Sequence, residues 1–182
     1  MDLFKYVLPR LLELMTEREL LTDSEIVLSK LTYGDRRTWL EAEQQAIEEF
    51  LMAWWVQTLA RLSEYSDTRA DEALSSIAQA EDNLAPYLDR WFKDESAAAI
   101  THLILFIDFG WREEGLKYEA GAFWESRPQQ TQQLMAWLYS VPVGQKIEAG
   151  LAVASTFGLN PEVEDVCERV RTIIHHYYPQ YL

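Results

Sequence analysis

The chain has 182 residues, of which 48% are hydrophobic and 25% charged, values that fit one soluble globular domain and exclude a disordered chain. Its single cysteine, Cys167, excludes an intramolecular disulfide and a cysteine-rich metal site. With 16 Lys and Arg against 30 Asp and Glu, the net charge of −14 repels phosphate backbones and acidic lipid surfaces, which sets nucleic-acid binding aside.

Along the chain, apolar residues recur at spacings of three and four. No stretch alternates with period two for long enough to make a strand, which predicts an all-α fold within a single domain over 1–182. Helices are expected at 3–17, 23–31, 39–62, 70–80, 84–92, 95–109, 116–125, 128–139, 142–157 and 161–177. In the first of these, Lys5, Pro9, Arg10 and Glu13 interrupt the apolar stretch, so no signal-peptide core is expected. Capping boxes at Thr22 with Glu25, Thr38 with Glu41 and Ser126 with Gln129 mark three helix starts. Asn160 followed by Pro161 marks the last start, and Gly34, Gly115 and Gly158 sit at expected ends.

The 39–62 helix begins with Glu41, Gln45, Glu48 and Glu49 on one side and continues with Met52, Trp55, Val56 and Leu59 on that side, so it should end buried on nearly all sides. Adjacent residues lie about 100° apart on a helix, so Trp54 and Trp55 must face two different neighbours. The stretch 64–82 concentrates acidic residues: Glu64, Asp67, Asp71, Glu72, Glu81 and Asp82 stand against Arg69. The 95–109 helix is apolar almost all round and should be central, yet its apolar run 97–107 falls short of the roughly 20 residues of a bilayer span. No membrane partner is therefore expected, and a reducing cytoplasm is the expected location. Gly144, Ala149, Gly150, Ala152 and Ala154 would let the 142–157 helix approach a neighbour closely, and the 161–177 helix carries a single apolar stripe.

A surface-type helix followed by a more buried one recurs: 23–31 with 39–62, 70–80 with 95–109, 116–125 with 128–139, and 142–157 with 161–177. This resembles the helix-pair logic of HEAT-type α-solenoids, with no repeat motif matched. The expected architecture is a set of antiparallel helix pairs, solenoid-like or arranged as an orthogonal helical bundle.

Candidate chemistry is sparse. No Glu-x-x-His or His-x-x-x-His pair places two ligands on one helix face, so no metal or other cofactor is implied. His175 and His176 are neighbours that point apart at a helix end. Cys167 falls on the apolar stripe of the last helix, where a thiol is inert packing. His102 is the polar ring of the central helix, with Glu95 and Asp108 on the same segment, and defines a candidate pocket. The most site-like stretch is 110–129, where Trp111, Arg112, Tyr118, Trp124 and Arg127 combine aromatic and guanidinium groups in the manner of binding hot spots. Three functions follow as expectations. The leading one is a non-enzymatic interaction module that contacts a protein or peptide through that stretch. The others are a small-molecule-binding protein or enzyme with its pocket near His102, and an acidic decoy for a basic nucleic-acid-binding protein.

Overall fold

Helices form where the three-four spacing requires them, with departures at their ends and in the 116–125 segment. The computed structural model describes residues 2–17, 19, 21–61, 70–112, 117–118, 122–156 and 161–177. The elements are α1 (Asp2–Glu17), α2 (Ser24–Tyr33), a 3-10 turn (Arg36–Thr38), α3 (Glu41–Ala60), α4 (Ala70–Ala80), α5 (Ala85–Lys93) and α6 (Ala97–Gly110). A two-residue antiparallel pairing follows, β1 (Trp111–Arg112) with β2 (Lys117–Tyr118), and then α7 (Ala122–Glu125), α8 (Pro128–Leu138), α9 (Val141–Thr156) and α10 (Pro161–Tyr177). The fold is all-α, built on helix-helix packing.

One expected helix is replaced. Residues 117–118 pair back onto 111–112, and α7 covers Ala122–Glu125, so 116–125 does not run as one helix. Gly110, Gly115 and Gly121 punctuate this stretch, and glycine favours a reversal over continued helix. The capping boxes also shift. Asp23, not Thr22, precedes α2, and the Glu25 carboxylate accepts from the Ser75 hydroxyl at 2.5 Å instead of capping its own helix. The Thr38 hydroxyl closes the 3-10 turn onto the Asp35 carbonyl, and Asp35 takes a left-handed φ of 46°, which a short polar side chain tolerates. It is the Leu40 N–H that donates to the Glu43 carboxylate, at 3.0 Å, to open α3. Arg127 occupies the cap position of α8, while the Ser126 hydroxyl turns back to the Phe123 carbonyl. Asn160, Gly115 and Gly158 lie outside the described residues.

The core is continuous from Leu8 and Leu12 of α1 to Val170 and Ile174 of α10. At its centre Trp91 is fully buried, donates its indole N–H to the Ala99 carbonyl at 2.9 Å and touches three other rings. Trp55 and Phe106 meet it edge-on at centroid distances of 5.3 and 5.4 Å, and Trp137 stacks on it at 5.4 Å. One ring thus joins α3, α5, α6 and α8. The expected separation of Trp54 from Trp55 holds: Trp55 lines up with Leu51 and Leu59, all three sealed from solvent, and Trp54 is buried on another side with Ile47.

α6 is packed by α3, α4, α9 and α10, so helices converge on a central member as in a bundle. It is less enclosed than its composition implies, because Leu105 is exposed. α2 packs chiefly on α4 rather than on α3, its expected pair. α4 is rich in small buried residues, Ala70, Ala73, Ser75, Ser76 and Ala78, of which Ser75 and Ser76 meet α2, and small side chains at a contact shorten the distance between helix axes. Buried hydroxyls in the seam satisfy one another: Ser24 and Ser76 share a hydrogen bond of 2.7 Å.

The close approach expected of the α9 small residues is realised at Gly150, where a Cβ would lie 2.5 Å from Cγ2 of Ile100 on α6. Alanine at this position would gain up to about 1 kcal/mol of helix propensity. Overpacking costs roughly 1–3 kcal/mol and should win, because the clashing methyl sits close to the α6 backbone. Gly150→Ala is therefore expected to lower stability in urea unfolding. In an Ile100→Ala background the same change should become neutral or stabilising.

Candidate functional site

The outer face of α3 carries Glu49, Met52, Ala53, Val56, Gln57 and Ala60 at helical spacing, while Leu51, Trp55 and Leu59 turn inward. This corrects the expectation that α3 ends buried on nearly all sides: Ala53, Gln57 and Ala60 are exposed, and Met52 and Val56 are half-buried. Opposite them stands the start of α5, where Pro86 occupies the first turn, a position that needs no N–H donor. The separation of the two helices is set from below, because the Trp55 indole N–H donates to the Tyr87 carbonyl at 2.9 Å. Between them runs an open groove of about 930 Å³, with Met52, Ala53, Val56, Ala60, Pro86 and Tyr87 as its apolar lining. Glu48, Glu49 and Glu81 supply its acidic groups, and Gln57 and Asn83 are its neutral polar ones.

The acidic end is built by the α4–α5 corner. Arg36, itself buried, donates to both carboxylate oxygens of Glu81 at 3.0 and 3.2 Å, and lies 3.9 Å from Glu48. Burial pushes the Glu81 carboxyl above its usual range, against the pull of Arg36, with Glu48 and Asp82 adding repulsion. Burial also raises the Tyr87 hydroxyl, with Glu81 adding to the effect, so the phenol stays protonated and the groove floor neutral. Behind the corner, α8 clamps the end of α4. Arg127 donates to the Ala78 carbonyl at 2.7 Å and the Glu81 carbonyl at 3.0 Å, and pairs with Asp82 at 3.2 Å. Gln130 donates to the same Glu81 carbonyl, and Gln133 receives the Leu84 N–H at 2.7 Å and donates to the Asp82 carbonyl at 2.8 Å. Helix-end carbonyls lack partners within their own helix, and a cation is favoured there.

The residues singled out from the sequence fall in several places. Trp124 is 4% exposed, packed in the core rather than displayed, and Arg127 is turned onto the α4 end. Side chains of Trp111, Arg112 and Tyr118 lie outside the described residues, as do Glu64, Asp67 and the 178–182 tail. His102 is buried, with Nε2 2.7 Å from the Arg61 carbonyl. Asp108 is held by Arg169 through contacts of 2.7 and 2.9 Å, and Glu95 is exposed ahead of α6. The three do not converge: His102 and Asp108 are about 9 Å apart along the helix axis and bond to different elements. Of the acidic stretch, Glu81 and Asp82 are engaged by Arg36, Arg37 and Arg127. Cys167 is buried in α10, and His175 lies 3.4 Å from Glu148. Among the described residues no three His, Cys, Asp or Glu side chains gather as a metal site, and no helix is long and apolar enough to cross a membrane.

No known protein family, no curated protein and no solved structure matches this chain.

Two outcomes test the corner. Arg127→Ala should cost roughly 1.5–3 kcal/mol, because it strips charged donors from two helix-end carbonyls. Thermal or urea unfolding measures this, and an unchanged stability would show that water replaces the guanidinium. For Glu81, a raised folded-state pKa means that the folded chain holds the proton more tightly than the unfolded one. Its stabilising contribution is complete below the ordinary value of 4.5 and is lost as pH rises through the raised one. Wild type should therefore lose stability relative to Glu81→Gln as pH rises across that window, read as the difference in melting temperature between the two proteins.

Proposed function

We propose that this protein is a helical docking module that seats a protein or peptide segment in the groove between α3 and α5. The observation that supports the reading is the groove itself: a largely apolar channel of about 930 Å³, open to solvent along Ala53, Gln57 and Ala60. Small-molecule sites enclose most of their ligand's surface. A channel open along its length instead exposes a small ligand and suits a rod-shaped guest whose outer face stays in water. Met52, Ala53, Val56, Ala60 and Pro86 supply apolar contact area, and the Glu81 carboxylate is occupied by Arg36. A buried, single Cys167 accords with a reducing, cytoplasmic setting.

The test uses an unbiased peptide-display library selected on the full-length protein. Ala53→Arg serves as the counter-target, because it places a long cationic side chain in the groove from an exposed position. Its melting temperature should match wild type. Peptides enriched on wild type should lose affinity by at least roughly tenfold on Ala53→Arg. An absence of enrichment, or peptides that bind both proteins equally, would overturn the proposal.

A further inference from the structure

The walls of the groove also constrain what can occupy it, and the inference here rests on the docking reading above. One wall is the middle of α3, whose N–H and C=O groups are bonded within the helix. The other is the α4–α5 corner with the first turn of α5, where the Leu84, Ala85 and Tyr87 N–H groups are taken by Gln133, Asn83 and the Leu84 carbonyl and Pro86 has none. The groove therefore offers no sheet edge to an extended guest, and a segment entering an apolar channel must satisfy its own backbone polar groups. Only a helix does so without outside partners. The stripe from Glu49 to Ala60 measures about 17 Å along α3, which is three turns of a guest helix. Along it, Ala53 and Ala60 are small beside the longer Met52 and Val56, a relief into which the ridges of a second helix can pack.

Charge then distinguishes one end of the channel from the other. Arg36 serves Glu81 closely and Glu48 only at 3.9 Å, while Glu49 accepts from a neutral group, Gln45, at 2.8 Å. Glu48 and Glu49 are exposed, so the end they line carries surplus negative charge on a chain whose net charge is already −14. We infer that the occupant is an amphipathic helical segment of about three turns whose apolar stripe lies on Met52, Ala53 and Val56 and whose Lys or Arg residues face Glu48 and Glu49.

The probes are the individual peptides recovered on the wild-type protein in the selection described above. They should carry apolar residues at i, i+3 or i+4, and i+7, with Lys or Arg grouped at one end. Circular dichroism of the complex should show added helix, and affinity should fall with salt, because exposed charge pairs are screened over about 8 Å at physiological ionic strength. Glu48→Gln with Glu49→Gln should weaken binding roughly tenfold without changing the melting temperature. Glu48→Lys with Glu49→Lys should restore binding to a peptide whose basic residues are replaced by Glu. Peptides that are lost on Ala53→Arg but are extended, uncharged or insensitive to salt would overturn this inference and leave the docking reading standing. Peptides indifferent to Ala53→Arg would overturn both.

Discussion

The structure depends on the burial of one ring. Trp91 projects from α5 into the middle of the bundle, where rings from α3, α6 and α8 close around it and its N–H finds the Ala99 carbonyl. A buried indole is favourable only if that donor is satisfied. Trp91 meets the condition by reaching across the α5–α6 corner, so the same hydrogen bond fixes the angle between those helices. Trp55 repeats the device one layer out, by bonding to the Tyr87 carbonyl. Two tryptophans, each with a backbone partner on another element, thus hold α5 at a set distance from α3. The groove is the space that this spacing leaves outside the core.

Corners between helices are held by polar side chains brought from elsewhere in the chain. At the α4–α5 corner Arg36, Arg127, Gln130 and Gln133 bond to residues 78–84. At the α5–α6 corner Lys146 of α9 donates to the carbonyls of Phe92 and Asp94 at 2.7 and 2.6 Å, and burial lowers its pKa. The contacts of Arg127, Gln130, Gln133 and Lys146 answer the same need, carbonyls left without a helical partner around a helix C-terminus, with a donor from a distant segment in place of a local glycine cap. Arg36 instead holds the Glu81 carboxylate. Such clamps gather guanidinium, amide and carboxylate groups into a small volume and so imitate an active site in composition. Their geometry differs, because most of the donors point at backbone oxygen, and the carboxylates of Glu81 and Asp82 are themselves taken up by Arg36 and Arg127.

The legibility of the fold follows from the range of each signal. Helical periodicity is local, so α1, α4, α8 and α10 lie within a few residues of their expected spans, and the inward line of Leu51, Trp55 and Leu59 could be drawn in advance. The failures are non-local. The 116–125 segment has helical spacing but three nearby glycines and a partner strand at 111–112. Glu25 has the position of a capping residue, yet Ser75 lies opposite it on α4. Arg127 was legible as a residue with a purpose, whereas Trp124 beside it read as part of a contact surface and is packed in the core. That Arg127 turns onto α4 and Trp124 into the core depends on helices some forty-five residues upstream in sequence. The groove carried a faint signal, the Met52, Ala53, Val56 and Ala60 stripe, which reads in isolation like any other core face.

The amino-acid sequence by itself determined the helical class, the net acidic charge and the opposed facing of Trp54 and Trp55, because these follow from composition and from the 3.6-residue period of a single helix. Tertiary structure decided which apolar faces found partners. α6 and the α2–α4 seam were covered, whereas among the described residues the outer stripe of α3 faces the start of α5 across an open groove, because Trp55 bonds to Tyr87 and meets Trp91 on the inward side of α3. An apolar face becomes core or binding surface according to what packs against it, and that is a property of two segments rather than of one.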